Sequence, residues 1–425
     1  MKKRPLTSTQ NNLLEIIIDL IMLKKIKSLT ASFLLIFSVA LLSSCGGGSS
    51  VGGSSNPSIS RMIVIGDSLE DSGTFGHKFT HQGSIATGKG SFNVYSDVVA
   101  ENLGIDTLCN YYIGTPDNVF DATFTINSNG ASCTNYAVGG GRIIYRNADS
   151  TLKPTDPRNL ALQITHAASN YGSYSSTDLI LVGAAGNDFS DLISAALSAL
   201  TSSGIEQTAA IANFGNFVSV LVPEAIVNAT LASVVDSATL STALANLGIA
   251  YSSGLATLLN ENIKNGILQL GASKVIVKSA APLTATPRFS VVLGGIEASL
   301  GTSTRQALES LFDNYVVSFN TTLESLNVNE SRTTFYNVYD IIQDFVTNPS
   351  TYGFVNSTNP SCPPIGFSAA GIPVYNAKDC SVEAAIATVG SNYASYVFST
   401  DFNATPLGHS EAGKVLISQI QDKAW

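Results

Sequence analysis

The chain has 425 residues, enough for two or three average domains or for one large α/β unit. Apolar residues make up 44% of it against 12% charged, which supplies a sizeable core and excludes an intrinsically disordered protein. The formal charge of -9 is spread along the chain with no basic stripe to neutralise phosphates, which argues against a nucleic-acid partner.

The first 21 residues precede Met22 and read as an upstream start-site extension. Lys24, Lys25 and Lys27 then form a basic start, Leu29 to Leu42 an apolar stretch shorter than a bilayer span, and Leu42-Ser43-Ser44-Cys45 a small-residue cleavage site. This pattern resembles the lipobox of bacterial lipoproteins. The resemblance implies cleavage before Cys45, lipid attachment to it, and a protein held at the bacterial envelope. Gly46 rather than Asp follows the cysteine, which favours the outer membrane, with periplasmic or extracellular release as alternatives. A hydrophobic anchor that is never cleaved is the other reading. Residues 46–58, almost all Gly and Ser, read as a flexible tether, and residues 59–425 as the folded domain.

Met62-Ile63-Val64-Ile65, ended by Gly66, predicts a strand buried on both faces in a parallel sheet. Four further runs follow at Asn135 to Val138, Leu179 to Gly183, Lys274 to Lys278 and Thr333 to Val338. Helical spacing lies between them at Leu160 to Ala168, Asp191 to Leu270 and Arg305 to Leu326. Alternating strands and helices predict an α/β fold, a doubly wound sheet of about five parallel strands. The span of about 190–271 is too long for one crossover and predicts an insertion of two or three Ala-rich helices, either ordinary core elements or an apolar cover for a greasy substrate.

The first strand stops at Gly66-Asp67-Ser68-Leu69, which puts Ser68 above the carboxyl ends of the parallel strands, where open α/β sheets bind ligands. Ile65-Gly66-Asp67-Ser68-Leu69-Glu70-Asp71-Ser72-Gly73 resembles the first block of the GDSL or SGNH hydrolases. That family implies a three-layer fold, a serine nucleophile, an acyl-enzyme and no cofactor. Asn135-Tyr136-Ala137-Val138-Gly139-Gly140 looks like its second block, which makes Gly140 an oxyanion donor, and Ala185-Gly186-Asn187-Asp188 looks like its third, which makes Asn187 another. The Ser68 amide would be the third donor on the same oxygen. In the third block alanine stands where the pattern has its first glycine. Gly48-Ser49-Ser50-Val51-Gly52 formally matches another hydrolase elbow, but no strand precedes it.

The family's fourth block, Asp-x-x-His, aligns in two ways. With one residue deleted, Gly408-His409-Ser410-Glu411 supplies the histidine and helix start, Pro406 falls on the Asp position, and Asp401 is the nearest carboxylate to support His409. Without a gap, Asn403 falls on the histidine and Thr400 on the aspartate, which implies a site without its base. A serine hydroxyl near neutral pH is a poor nucleophile without a base, so the sequence reading takes His409.

Cys109, Cys133, Cys362 and Cys380 are an even set in an exported chain, and nearest-neighbour pairing closes two loops of roughly twenty residues; free thiols are the alternative. His77 and His81 lie four apart with no Glu after the first and no third ligand, so no metal is expected, and His166 reads as a helix histidine. Aromatic residues between Phe92 and Tyr112 read as core or as the mouth of the site. Within the family, Ser-Leu-x-Asp-Ser-Gly resembles bacterial lipases, lysophospholipases and acyltransferases. This implies a fatty acyl or lysophospholipid ester as substrate. A carbohydrate O-acetyl esterase, an acyltransferase and a catalytically impaired binding lipoprotein are the alternatives.

Overall fold

The computed structural model describes residues 58–425, apart from 89, 107, 117, 118, 120, 148, 149, 369 and 370. Cys45, its signal segment and nearly all of the tether lie outside the described residues. The elements in chain order begin with β1 (Arg61–Gly66), α1 (Tyr95–Asn102), β2 (Tyr112–Thr115), β3 (Thr123–Ile126), α2 (Leu160–Tyr171) and β4 (Asp178–Gly183). Four helices follow, α3 (Gly186–Thr201), α4 (Gly204–Val218), α5 (Glu224–Ala232) and α6 (Ser237–Gly266). Next come β5 (Val275–Lys278), α7 (Pro287–Leu300), α8 (Thr302–Asn327), β6 (Thr333–Tyr336) and α9 (Val338–Thr347). The chain closes with β7 (Asn356–Pro360), β8 (Gly366–Phe367), β9 (Pro373–Val374), α10 (Val382–Val389), β10 (Tyr396–Phe398) and α11 (Pro406–Asp422).

The main sheet is β1-β4-β5-β6, all parallel. Successive residues of a strand point to opposite faces, and here both faces are apolar. Ile63, Ile65, Ile180, Val182, Val275 and Val277 pack on one face against α2, α3, α6 and α8. Met62, Val64, Leu179, Leu181 and Ile276 pack on the other against α1, α9 and α11. Helices cover both faces, so the architecture is α/β as expected.

The sheet has four strands rather than about five. Asn135 to Val138 does run beside β1, through Val64 N–H to Thr134 O (2.9 Å) and Tyr136 N–H to Val64 O (2.7 Å), but only as an isolated bridge. The Asn135 side chain donates to the Glu70 carbonyl and accepts the Ala137 N–H, while its main chain bonds Cys109 and Tyr111 on the side away from β1. Counting that segment second, the spatial order is 2-1-3-4-5, and the order reverses at β1. The crevice at such a reversal, outside the carboxyl ends of the strands, is the favoured ligand site of open α/β sheets. Ser68 lies two residues beyond β1 in that crevice.

The long insertion contains four helices where two or three were expected, and the first starts earlier, at Gly186. α6 is 30 residues long; Asp236 caps it by accepting the Thr239 N–H, and the Thr239 hydroxyl takes the Asp236 N–H. Its buried stripe of Leu244, Leu247, Tyr251, Leu255 and Leu259 recurs every three or four residues and joins the core beside α8. The helix is long and apolar enough to cross a membrane, yet half of that stretch is buried within the fold. Cys109 is bonded to Cys133, and Cys362 to Cys380.

Candidate active site

Gln163 of α2 holds the end of β1: its Oε1 accepts the Gly66 N–H at 2.9 Å and its Nε2 donates to the Gly66 carbonyl at 3.1 Å. The turn that follows is braced by carboxylates. Asp67 accepts the Leu69 N–H, Glu70 accepts the Asp67 N–H, and buried Lys278 at the end of β5 donates to Glu70 at 2.6 Å while facing Asp67 at 3.6 Å. The Tyr95 hydroxyl donates to the same Glu70 oxygen. Burial raises the Glu70 carboxyl to about 7 against the pull of Lys278. Asp71 spans two loops, accepting the Gly73 and Thr74 N–H groups and, at 2.7 Å, that of Gly139; burial raises it to about 6.

The double-glycine turn thus sits against the Ser68 turn. Gly140 has φ +80°, in the left-handed region, and a Cβ there would meet Val119 Cγ1 at 2.6 Å, so glycine is required. A Cβ on Gly141 would meet the Gly66 carbonyl oxygen at 2.5 Å, which shows how closely the two loops approach. Asn187, in the first turn of α3, donates from Nδ2 to the Gly141 carbonyl at 3.0 Å. Asp188 anchors that helix start by accepting the Ile143 and Ile144 N–H groups, each at 3.0 Å.

Ser68, Gly140 and Asn187 line one cleft. Among the described residues, neither the Ser68 N–H, the Ser68 hydroxyl nor the Gly140 N–H has a hydrogen-bond partner. The Asn187 amide keeps its second hydrogen beyond the bond to Gly141. A nucleophilic oxygen faced by unpaired donors is the arrangement that stabilises an oxyanion formed by attack on a carbonyl. Ala185, just before this block, takes φ +141°, a conformation that suits glycine. The displaced glycine of the sequence pattern is therefore visible as backbone strain.

The base is where sequence and structure part. α11 begins at Pro406 with Thr405 as its cap, so His409 lies inside the helix and Asn403 just before it. His409 is 1% exposed; its Nδ1 accepts the Tyr95 N–H at 3.2 Å, satisfying an orphan amide at the start of α1. Burial pushes this imidazole down to about 4. His409 and Ser68 both touch an inner apolar cavity, but no hydrogen bond joins them. The His409 Nδ1 ties α11 to α1, and its buried Nε2 has no hydrogen-bond partner. Asp401 Oδ2 pairs with Arg288 Nε at 2.8 Å.

Asn403 and Thr400 instead line the cleft with Ser68. Asn403 Nδ2 donates to Thr400 Oγ1 at 3.0 Å, and the buried Asn403 Oδ1 has no partner. The imidazole on this cleft is His77. Its Nδ1 lies 3.2 Å from the Phe75 carbonyl, which can only accept. His77 and His81 do not share a helix face, because residues 75–81 form turns and bends. His81 Nε2 meets Ser361 Oγ at 2.7 Å, and His166 Nδ1 meets the Tyr112 hydroxyl at 2.8 Å. The grouping of potential metal ligands among the described residues is His81 with Cys362 and Cys380, whose sulfurs are bonded to each other.

Sequence reading missed Lys278, Glu70 and Gln163. The available signals were a lysine closing the apolar run Val275-Ile276-Val277 and a glutamine among the apolar positions of α2. No family model matches the chain, and no curated protein matches it either.

Proposed function

We propose that this chain is a serine-dependent carboxylic ester hydrolase of SGNH type. The observation that carries the reading is the convergence of the Ser68 hydroxyl with the Gly140 and Asn187 donors on one cleft at the reversal of the sheet order. In this reading Ser68 Oγ bonds the ester carbonyl carbon while its proton passes to His77, the imidazole on the same cleft. The carbonyl oxygen, now negative, takes hydrogen bonds from the Ser68 and Gly140 amides and from Asn187. The alcohol leaves with the proton from His77, and water releases the acid by the reverse sequence. The chemistry calls on no cofactor.

Asn403 favours a second reading. An amide cannot accept the serine proton, so a protein with Asn403 and Thr400 at the base position and His77 inactive would bind acyl esters without turning them over. Both readings include export with lipid on Cys45, which the mass of the mature N-terminus checks; an unmodified cysteine refutes the anchor.

The test is p-nitrophenyl ester hydrolysis together with fluorophosphonate labelling of the wild type, Ser68→Ala, His77→Gln and His409→Gln. Labelling vanishes in Ser68→Ala, turnover falls at least about 100-fold in His77→Gln, and His409→Gln keeps it. Labelling that survives Ser68→Ala refutes the nucleophile. Loss in His409→Gln with retention in His77→Gln refutes the base. A wild type that neither labels nor turns over refutes the hydrolase reading.

A further inference from the structure

We propose that the acyl group of the substrate is short, about two to four carbons, and that Phe402 sets its length; this rests on the hydrolase reading above. Behind Ser68 lies a largely enclosed cavity, lined by Leu69, Ala184, Ala280, Leu283, Phe402 and Ala404 among others. Ser68 and Phe402 are the two residues that line both this cavity and the open cleft. The two spaces differ in chemistry. The cleft carries Arg142, Asn187, Asp191, Arg288 and Asp401, whereas the inner walls are mostly alkyl and aromatic. The charged groups on the inner wall are turned onto one another: Lys278 pairs with Glu70 at 2.6 Å and faces Asp67 at 3.6 Å. An ester centred on Ser68 therefore places its acyl end in the dry side and its alcohol in the polar cleft.

Volume decides which acyl groups enter. The inner cavity measures about 60 Å³. A dry cavity of about 150 Å³ accommodates benzene, six carbons, so this one accommodates roughly two or three beyond the carbonyl. Acetyl to butyryl groups fit, and an octanoyl chain does not unless Phe402 moves. That ring is held: the Arg288 guanidinium lies 5.1 Å from its centroid, and Arg288 is fixed to Asp401 through Nε to Oδ2 at 2.8 Å and N–H to the carbonyl at 3.0 Å. The fatty acyl ester implied by the sequence resemblance is thereby replaced by a short-chain one.

The experiment is phosphonylation of Ser68 by p-nitrophenyl alkylphosphonates with ethyl, butyl or octyl chains, read by intact-protein mass spectrometry. It requires attack by Ser68 but not turnover. In the wild type, ethyl and butyl compounds react at least ten-fold faster than octyl. Phe402→Ala brings octyl to within about three-fold of butyl, and Ala280→Leu slows butyl about ten-fold while ethyl persists. Octyl reacting as fast as butyl in the wild type, or ratios unmoved by both substitutions, overturns the inference while leaving the hydrolase reading intact. If no compound labels Ser68, the hydrolase reading fails, and calorimetric binding of butyrate against octanoate reads the cavity directly. Octanoate binding as tightly as butyrate then overturns the inference, and a preference for butyrate supports it.

Discussion

Protonation of His409 separates a histidine that holds two helices together from one that serves a nucleophile. Its ordinary value is 6.5, and burial lowers it to about 4 in the fold. The gap of about 2.5 units corresponds to about 3 kcal/mol. The sign follows from proton counting. Between roughly pH 6.5 and 4 the unfolded chain binds a proton at this site and the folded chain does not, so stability falls as pH drops through that window and is fully present above it. A base for Ser68 would instead titrate near the working pH. NMR titration of the imidazole resonances of the folded protein from pH 8 to 4 should leave His409 neutral until close to pH 4. Urea unfolding of wild type and His409→Gln at pH 7 and pH 4.5 should show the wild type losing about 2.4 kcal/mol more than the variant. The comparison isolates His409 from His81, which burial also lowers to about 4. A His409 resonance titrating near 6.5, or parallel pH dependence in the two proteins, would refute its structural assignment.

Other outcomes follow from the same geometry. In the reading where His77 is inactive, Asn403→His with Thr400→Asp should give the cleft a base with its carboxylate and raise ester turnover by roughly 10²-fold or more; an unchanged rate would count against that reading. Asn187→Ala removes one oxyanion donor and should slow ester hydrolysis by roughly 10²–10³, whereas a loss under three-fold would remove Asn187 from the site. Replacing Cys109 and Cys133 together with Ala opens a loop of sequence separation 24 and should cost about 3 kcal/mol in urea unfolding; an unchanged midpoint denies the bridge a stabilising role. At Ala185, φ +141° stores roughly 1–3 kcal/mol of strain, which offsets the lost methyl, so Ala185→Gly should fall within about 1 kcal/mol of wild type. The neighbouring Ala184→Gly should cost more, and equal costs would contradict the strain.

Much of the framework was legible in the chain because it depends on local patterning. An apolar run of Met62 to Ile65 ending in glycine can hardly be anything but a buried parallel strand, and residues directly after such a strand lie at the ligand-binding end of the sheet. Ser68, Gly140 and Asn187 each follow an apolar run closely, so order along the chain determined their meeting at one cleft. The two disulfide partnerships came from proximity in sequence. The fifth strand was overcounted because the segment Asn135 to Val138 meets β1 only as an isolated bridge.

What only the tertiary structure decided was where His409 and Asn403 sit. His409 and Asn403 lie six residues apart, and sequence weighed them by which side chain could do the chemistry. The cap at Thr405 starts the helix between them, so one side chain turns into the contact with α1 and the other faces the cleft. The same holds for the Lys278–Glu70 pair and for the size of the cavity behind Ser68. Residues 208 positions apart meet only because β5 is placed two strands from β1. A chain pattern encodes which face a residue takes on its own element, while distances between elements depend on how all of them pack.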